Sequence, residues 1–303
     1  MRRKGWRIGA ASGVVAAAVV LTGCTADHSA RTSAHQPRTG SAAKQPAGGT
    51  SGKGAGAATP LEAVRLAAAQ VSKASTAHVV GRISVTDAGN GQRQTLRLVA
   101  DEQWRPSLRM RYTMSGLDVM GTGTGTIHAV MTGTALYLSF PAVRSQLGKD
   151  WVEIRFSDVS KATGLNLSSM LSQARQFDPS QSLQLLSASG RIHRVGTGTV
   201  SGVPTTHYAG TVDVAAALRQ LPAGATRRLA RRGITEMGFK QQHVDAWIDS
   251  AGRTRRVVTS VSGSMMSMRT DLVISRYGER VSVSAPPASR TVDLHDVLAG
   301  RKA

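Results

Sequence analysis

The sequence predicts a single α+β domain built on an antiparallel sheet of about eleven strands. Three observations carry that reading. From Ala77 onward, apolar residues recur at every second position in one segment after another. Glycine-rich turns too short for a crossover separate many of these segments. Only three or four stretches return to helical spacing, too few for a layered parallel sheet.

Order begins at TPLE. Thr59 is placed to cap a helix, Pro60 suits its first position, and Glu62 completes a capping box. Leu61, Val64, Ala68 and Val71 then share one face, so Pro60–Ala74 is predicted as an amphipathic helix. Strands follow at 77–86, 93–103 and 108–114, then at 122–131, 134–140 and 150–156. Further strands are expected at 190–200, 203–212, 241–249, 254–263 and 268–276. In SLRMRYTM, Leu108, Met110, Tyr112 and Met114 face one way, and Arg109, Arg111 and Thr113 the other, a strand with one apolar and one wet face. The turns AGNG, SGV and SAGR require antiparallel neighbours. Two helical inserts interrupt the strands. The first places Leu167, Met170, Leu171, Ala174 and Phe177 on one face and restarts at Asp178. The second runs from Asp213 to about Arg232 with a break near Pro222 and Gly224.

Ahead of the domain, MRRKGWR and the apolar run Ile8–Leu21 form a secretory signal. A bilayer span needs about 20 apolar residues, more than this run supplies. The run ends in LTGC, whose Cys24 is the only cysteine. A disulfide needs a second cysteine, a metal site needs several ligands, and a nucleophile needs a cleft and a base. What remains is a lipobox, which resembles the bacterial lipoprotein signal. That resemblance implies cleavage after residue 23, acylation of Cys24 and anchoring to the outer face of the cell membrane. Multiple acyl chains hold where one would be marginal. Thr25–Thr59 is Ser, Thr, Ala, Gly, Gln and Pro without a large apolar residue, a tether expected to span about 30–35 Å. The expected parts are thus 1–23 signal, 24–59 anchor and tether, and 60–303 domain.

Lys and Arg number 38 against 18 Asp and Glu, and the domain itself retains about +13. Outside a cell such a surface meets anionic phospholipid and wall polymer, or simply stays soluble. Aromatic residues are 4% of the chain and no nucleic-acid reader motif occurs, so nucleic acid is not an expected partner.

Catalytic vocabulary is sparse. GTGTGT at 121–126 lacks the Gly-Lys-Ser/Thr and the helix of a phosphate loop. It and GTGTVSG at 196–202 read instead as strand with close backbone packing. The eight histidines form no HExxH or His-x-His pair, and His207 is expected to be a structural hydrogen bonder. Asp245 and Asp249 would lie about 13 Å apart on a strand, too far for a glycosidase pair. A turn role suits Asp249 better. There is no GxSxG elbow, and neither a cofactor nor a metal ion is expected. Nine methionines at positions 110 to 268 suit ordinary core or an adaptable apolar lining. TRRLARR at 226–232 suits a solvated helix face or contact with anionic head groups.

Four stretches in order, TALYLSFP with GKDWVEI, GVPTTHYAGTVD, VDAWIDSAGRTRRV and YGERVSVSAPP, resemble the LppX/LprG-like lipoproteins of actinobacteria. Those are more distantly similar to the LolA/LolB lipoprotein carriers. The resemblance covers about Leu61 to Pro287. It implies a strongly curved half-barrel with helices over its concave face, and a lipid or acylated ligand in the space between. Leu108, Met110, Tyr112, Met114, Met170, Leu171 and Phe177 are the candidate lining residues. The expected function is therefore binding, with or without carriage, of a lipid-like ligand by a non-enzymatic, membrane-anchored protein. An extracytoplasmic sensor or interaction module with an unidentified protein partner is the alternative.

Overall fold

The computed structural model describes residues 59–118, 124–163, 183, 186–187, 191–220 and 225–300. Helix α1, Pro60–Ala74, starts and stops where its sequence says. The Glu62 amide donates to Thr59 Oγ1 at 3.3 Å, and the Thr59 amide donates to Glu62 Oε2 at 2.8 Å. Ser75 ends the helix in the left-handed region, at φ 67°. Val64, Ala67, Ala68 and Val71 are buried along one face.

Six strands then form a meander: β1 Thr76–Asp87, β2 Arg93–Gln103, β3 Arg109–Asp118, β4 Thr124–Met131, β5 Ala135–Ser139 and β6 Trp151–Arg155. Helix α2, Pro141–Leu147, joins β5 to β6, and α3, Phe156–Thr163, leaves β6. Strands β7 Ile192–Val200 and β8 Val203–Asp213 pair as a hairpin. Helices α4 Val214–Gln220 and α5 Ala225–Met237 follow, then β9 Gln241–Asp249, β10 Thr254–Ser262 and β11 Met266–Ser275. Short β12, Thr291–Asp293, and α6, Leu294–Leu298, come last.

All twelve strands among the described residues belong to one sheet, in the order β12-β6-β5-β4-β3-β2-β1-β11-β10-β9-β8-β7. Strand β1 therefore joins two meanders by pairing with β11, Val79 opposite Ile274 and Gly81 opposite Leu272. Gly81 is required there, because a Cβ would sit 2.5 Å from the Asp271 carbonyl oxygen. The sheet curls into a half-barrel. One apolar cluster holds Met131 of β4 and Ile192 of β7 together with Val64, Ala67 and Val71 of α1. Those strands lie eight positions apart, about 38 Å on a flat sheet. A helix about 10 Å across reaches both only if the sheet wraps around it.

Three features depart from expectation. The sheet has a twelfth strand, and it pairs with β6 in parallel, Val292 opposite Val152. The outer face of β3 is not wet throughout. The segment after β11 crosses it as a strap, with Arg109 donating to the Val283 carbonyl at 3.0 Å and Arg111 to that of Ser282 at 2.8 Å. Val283 is buried there with Val130, Ala135 and Tyr137. Finally, Gly196 and Gly198 are not sites of close packing, since a Cβ at either would have nothing within 4 Å. Their alternation with threonine makes an open edge strand. The strand reading of 121–126 holds from Thr124 onward, and residues 121–123 lie outside the described residues.

Candidate functional site

The concave face is built from alternate residues of the curled sheet. Cross-strand register lines up Glu102, Met110 and Met131 in one tier. Val79, Ala100, Tyr112 and Ala129 form the next, and Gly81, Leu98, Met114 and Ile127 the one beyond. The tiers differ in how well they are covered. Val79, Ala100 and Ala129 are buried at 1%, 2% and 0% exposure beneath α1 and its neighbours. Leu98, Met110, Tyr112, Met114, Ile127 and Met131 are only half-buried, so among the described residues this side of the half-barrel retains partly uncovered apolar surface. On the other side Leu183 and Leu186 are fully buried against Tyr208, Val212 and Val244. Gly210 permits that contact, because a Cβ there would lie 2.5 Å from a Leu186 methyl and 2.3 Å from the Arg191 carbonyl oxygen.

Tyr112 marks the environment. Burial pushes its phenol above the ordinary tyrosine range, as expected for a hydroxyl set among apolar side chains. Trp104, in the loop from β2 to β3, is 1% exposed and packs in the same cluster. Its backbone N–H donates to the Ser75 carbonyl at 2.9 Å, while its indole Nε1 finds no acceptor among the described residues. With Ser75, Arg105 and Pro106 it lines an open depression of about 620 Å³ at the end of α1. A buried donor without a partner costs about 1–3 kcal/mol.

Of the lining residues expected from sequence, Leu108 is fully packed in the core at 4% exposure and offers no surface. Met110, Tyr112 and Met114 share the concave face, as their spacing predicts. Met170, Leu171, Phe177 and Cys24 lie outside the described residues. Sequence reasoning missed Trp104, Met131 and Leu98 as neighbours of this face. Periodicity placed the last two on strands, but only register sets them beside Met110 and Tyr112.

Other sequence readings resolve into structural roles. Asp249 accepts from the amides of Ala251 and Arg253 and from Arg255 Nε, closing the β9–β10 turn. His207 Nε2 lies 2.8 Å from Asp245 Oδ1, and its ring stacks on Trp247 at 4.2 Å on the outer face. In α5, Arg232 pairs with Glu236 at 2.8 Å, and Ala230 and Ile234 turn inward. Met237 at the end of α5 packs with Met266 and Met268 of β11 against Val214 of α4 and Ile234 of α5. Among the described residues no group of three His, Cys, Asp or Glu side chains is placed to hold a metal ion, and no helix is long and apolar enough to cross a membrane.

No family model matches the chain. It is 31% identical over 153 residues to an uncharacterized 31.2 kDa protein from the rplA-rplJ intergenic region of Streptomyces griseus, covering 50% of each chain. It is 27% identical over 154 residues to a Streptomyces coelicolor protein named "Putative lipoprotein SCO4650", covering 51% of this chain and 46% of that one. The chain thus spans about half the length of the curated relatives it matches. Among solved structures, LprF from Mycobacterium bovis superposes with a TM-score of 0.48 at 14% identity, over 75% of this chain and 96% of its own. Lipoprotein LppX from Mycobacterium tuberculosis gives 0.41 at 15% identity, over 74% and 97%. Likeness to the LppX/LprG-like lipoproteins is found again here. Of the stretches quoted from the sequence, TALYLSFP falls on β5 and GVPTTHYAGTVD on β8.

Proposed function

We propose that this chain is a cell-envelope lipoprotein, anchored through acylated Cys24, whose half-barrel binds a lipid or similarly acylated ligand. The observation that carries the reading is the uneven cover of the concave face: Leu98, Met110, Tyr112, Met114 and Ile127 are half-buried while Val79, Ala100 and Ala129 among them are sealed. Flexible methionine and leucine side chains accommodate an acyl chain, which has no fixed shape. About ten methylenes buried at roughly 0.8 kcal/mol each give about 8 kcal/mol, equivalent to micromolar affinity before ordering costs. The LTGC signal and the word lipoprotein in the name of the Streptomyces coelicolor relative support the anchor. Binding alone accounts for these features without chemistry on the ligand.

Native mass spectrometry of the full chain, extracted from membranes in mild detergent, tests the proposal. A co-purifying mass that is lipid-extractable, and uptake of labelled lipid from vesicles, are expected. Protein that is empty and remains empty after incubation with vesicles overturns it.

A further inference from the structure

On the outer face of the sheet, Arg82 of β1 and Arg97 of β2 stand directly opposite one another. Both are exposed. Like charges at opposed cross-strand positions are destabilising, and sheets normally pair such a residue with an acid. Here the nearest acids by register are already engaged. Asp271, opposite Arg82 on β11, gives both carboxylate oxygens to Arg256, at 2.8 Å and 2.5 Å. Asp101, four residues from Arg97 on the same face, lies 2.8 Å from His78 Nδ1 and accepts from Arg276 at 3.3 Å. Among the described residues neither Arg82 nor Arg97 has an ion-pair partner.

The surroundings extend the pattern. Arg93 and Arg269 are exposed, on β2 and β11, and bond only to hydroxyls, Thr86 at 3.3 Å and Ser260 at 3.1 Å. Two residues along the strands from the arginine pair, Val80 faces Val99, each 44% exposed, with Val273 beside them across β1 and β11. A patch of four guanidinium groups that, among the described residues, have no ion-pair partner, beside exposed valines, matches a surface that is both anionic and apolar a few ångströms deeper. Soluble polyanions would use the charges and leave the valines without purpose.

We infer that this outer face, centred on Arg82 and Arg97, docks against an anionic phospholipid bilayer. The choice of bilayer rests on the anchor part of the proposed function. In that proposal Cys24 lies 35 residues ahead of Thr59, enough chain for the domain to lie down on the membrane. Docking by the outer face leaves the concave face turned away from the bilayer plane, accessible to ligand from the side or above.

The test uses the acylated full chain with Thr95→Cys, two residues from Arg97 on the same face, carrying an environment-sensitive fluorophore. Vesicles contain brominated phosphatidylcholine, alone or mixed with phosphatidylglycerol. If Cys24 is acylated, one label attaches per chain; two labels per chain mean the anchor reading has failed, independently of docking. The expected result is quenching at position 95 on phosphatidylglycerol vesicles only, reduced at least about tenfold by Arg82→Glu with Arg97→Glu. Arg82→Gln with Arg97→Gln should also weaken quenching while leaving the melting temperature equal or higher, which separates docking from misfolding. Equal quenching on both vesicles, quenching on neither, or quenching that survives charge reversal overturns the inference. So does tight binding of double-stranded DNA without quenching on vesicles.

Discussion

The guanidinium of Arg109 on β3 donates to the backbone carbonyl of Val283 at 3.0 Å, joining residues 174 positions apart. This contact and its neighbour from Arg111 pin the C-terminal strap across the outer face, over a small core of Val130, Ala135, Tyr137 and Val283. The strap delivers the chain to β12, which caps the exposed edge of β6. Arg109→Met keeps the aliphatic stem and removes the donor. It is expected to cost about 1–2 kcal/mol, and Val283→Ala about 2 kcal/mol, by urea denaturation. Both should make the strap cleavable by protease before global unfolding.

Acid should loosen the same end of the molecule. Asp150 accepts from Arg290, and Arg144 lies 3.0 Å away; the Arg290 hydrogen bond first, then the two positive charges, holds the carboxyl below its ordinary range. A carboxylate with a lowered folded-state pKa stabilises fully above its unfolded pKa of about 4 and loses that contribution as pH falls through the folded value. The urea midpoint of the native protein should therefore fall toward that of Asp150→Asn below about pH 4 and exceed it at neutral pH. A constant difference at every pH would show that Asp150 acts by packing alone.

The concave face should tolerate size changes and reject charge. Met114→Arg places a cation among half-buried apolar residues and should abolish lipid uptake from vesicles, because a charge stripped of water is not repaid by an acyl chain. Met114→Leu should retain uptake. Circular dichroism of both variants distinguishes lost binding from lost fold.

Two glycines make a matched pair. A Cβ at Gly263, after β10, would lie 1.9 Å from the Met237 carbonyl oxygen and 2.8 Å from the Phe239 ring. Gly263→Ala must displace backbone and is expected to lose more than about 2 kcal/mol. Gly198→Ala meets nothing within 4 Å and should be neutral or stabilising by up to about 1 kcal/mol, through the unfolded chain. Melting temperatures of the two should move in opposite directions or only the first should move.

Replacing Cys24 tests the anchor by itself. Cys24→Ser should abolish incorporation of radiolabelled palmitate and shift the chain from the lipoprotein fraction, whatever the half-barrel binds.

Local signals decided most of the secondary structure. TPLE encodes its own cap, so α1 was legible to the residue, and the alternation of QQHVDAWID marked all of β9. AGNG and SGV set their hairpins because two tight turns leave neighbouring strands no other partner. Long-range structure was legible only where local pattern required it. The sequence showed that Met110, Tyr112 and Met114 share a face, since side chains alternate along any strand. It did not show that Leu108 would be sealed, because sealing depends on what lies above the strand. Nor could spacing reveal that Arg109 and Arg111, polar residues on an apparently wet face, would bind a strap from the far end of the chain.

What the sequence by itself determined is therefore periodic and local: the first helix, eleven of the strands and the antiparallel hairpins. What only the tertiary structure decided is how those pieces meet. The β1–β11 seam and the parallel β12–β6 edge each join residues whose pairing no turn dictates. Register across strands is set by total burial over the whole sheet, and total burial is not a property of any one segment.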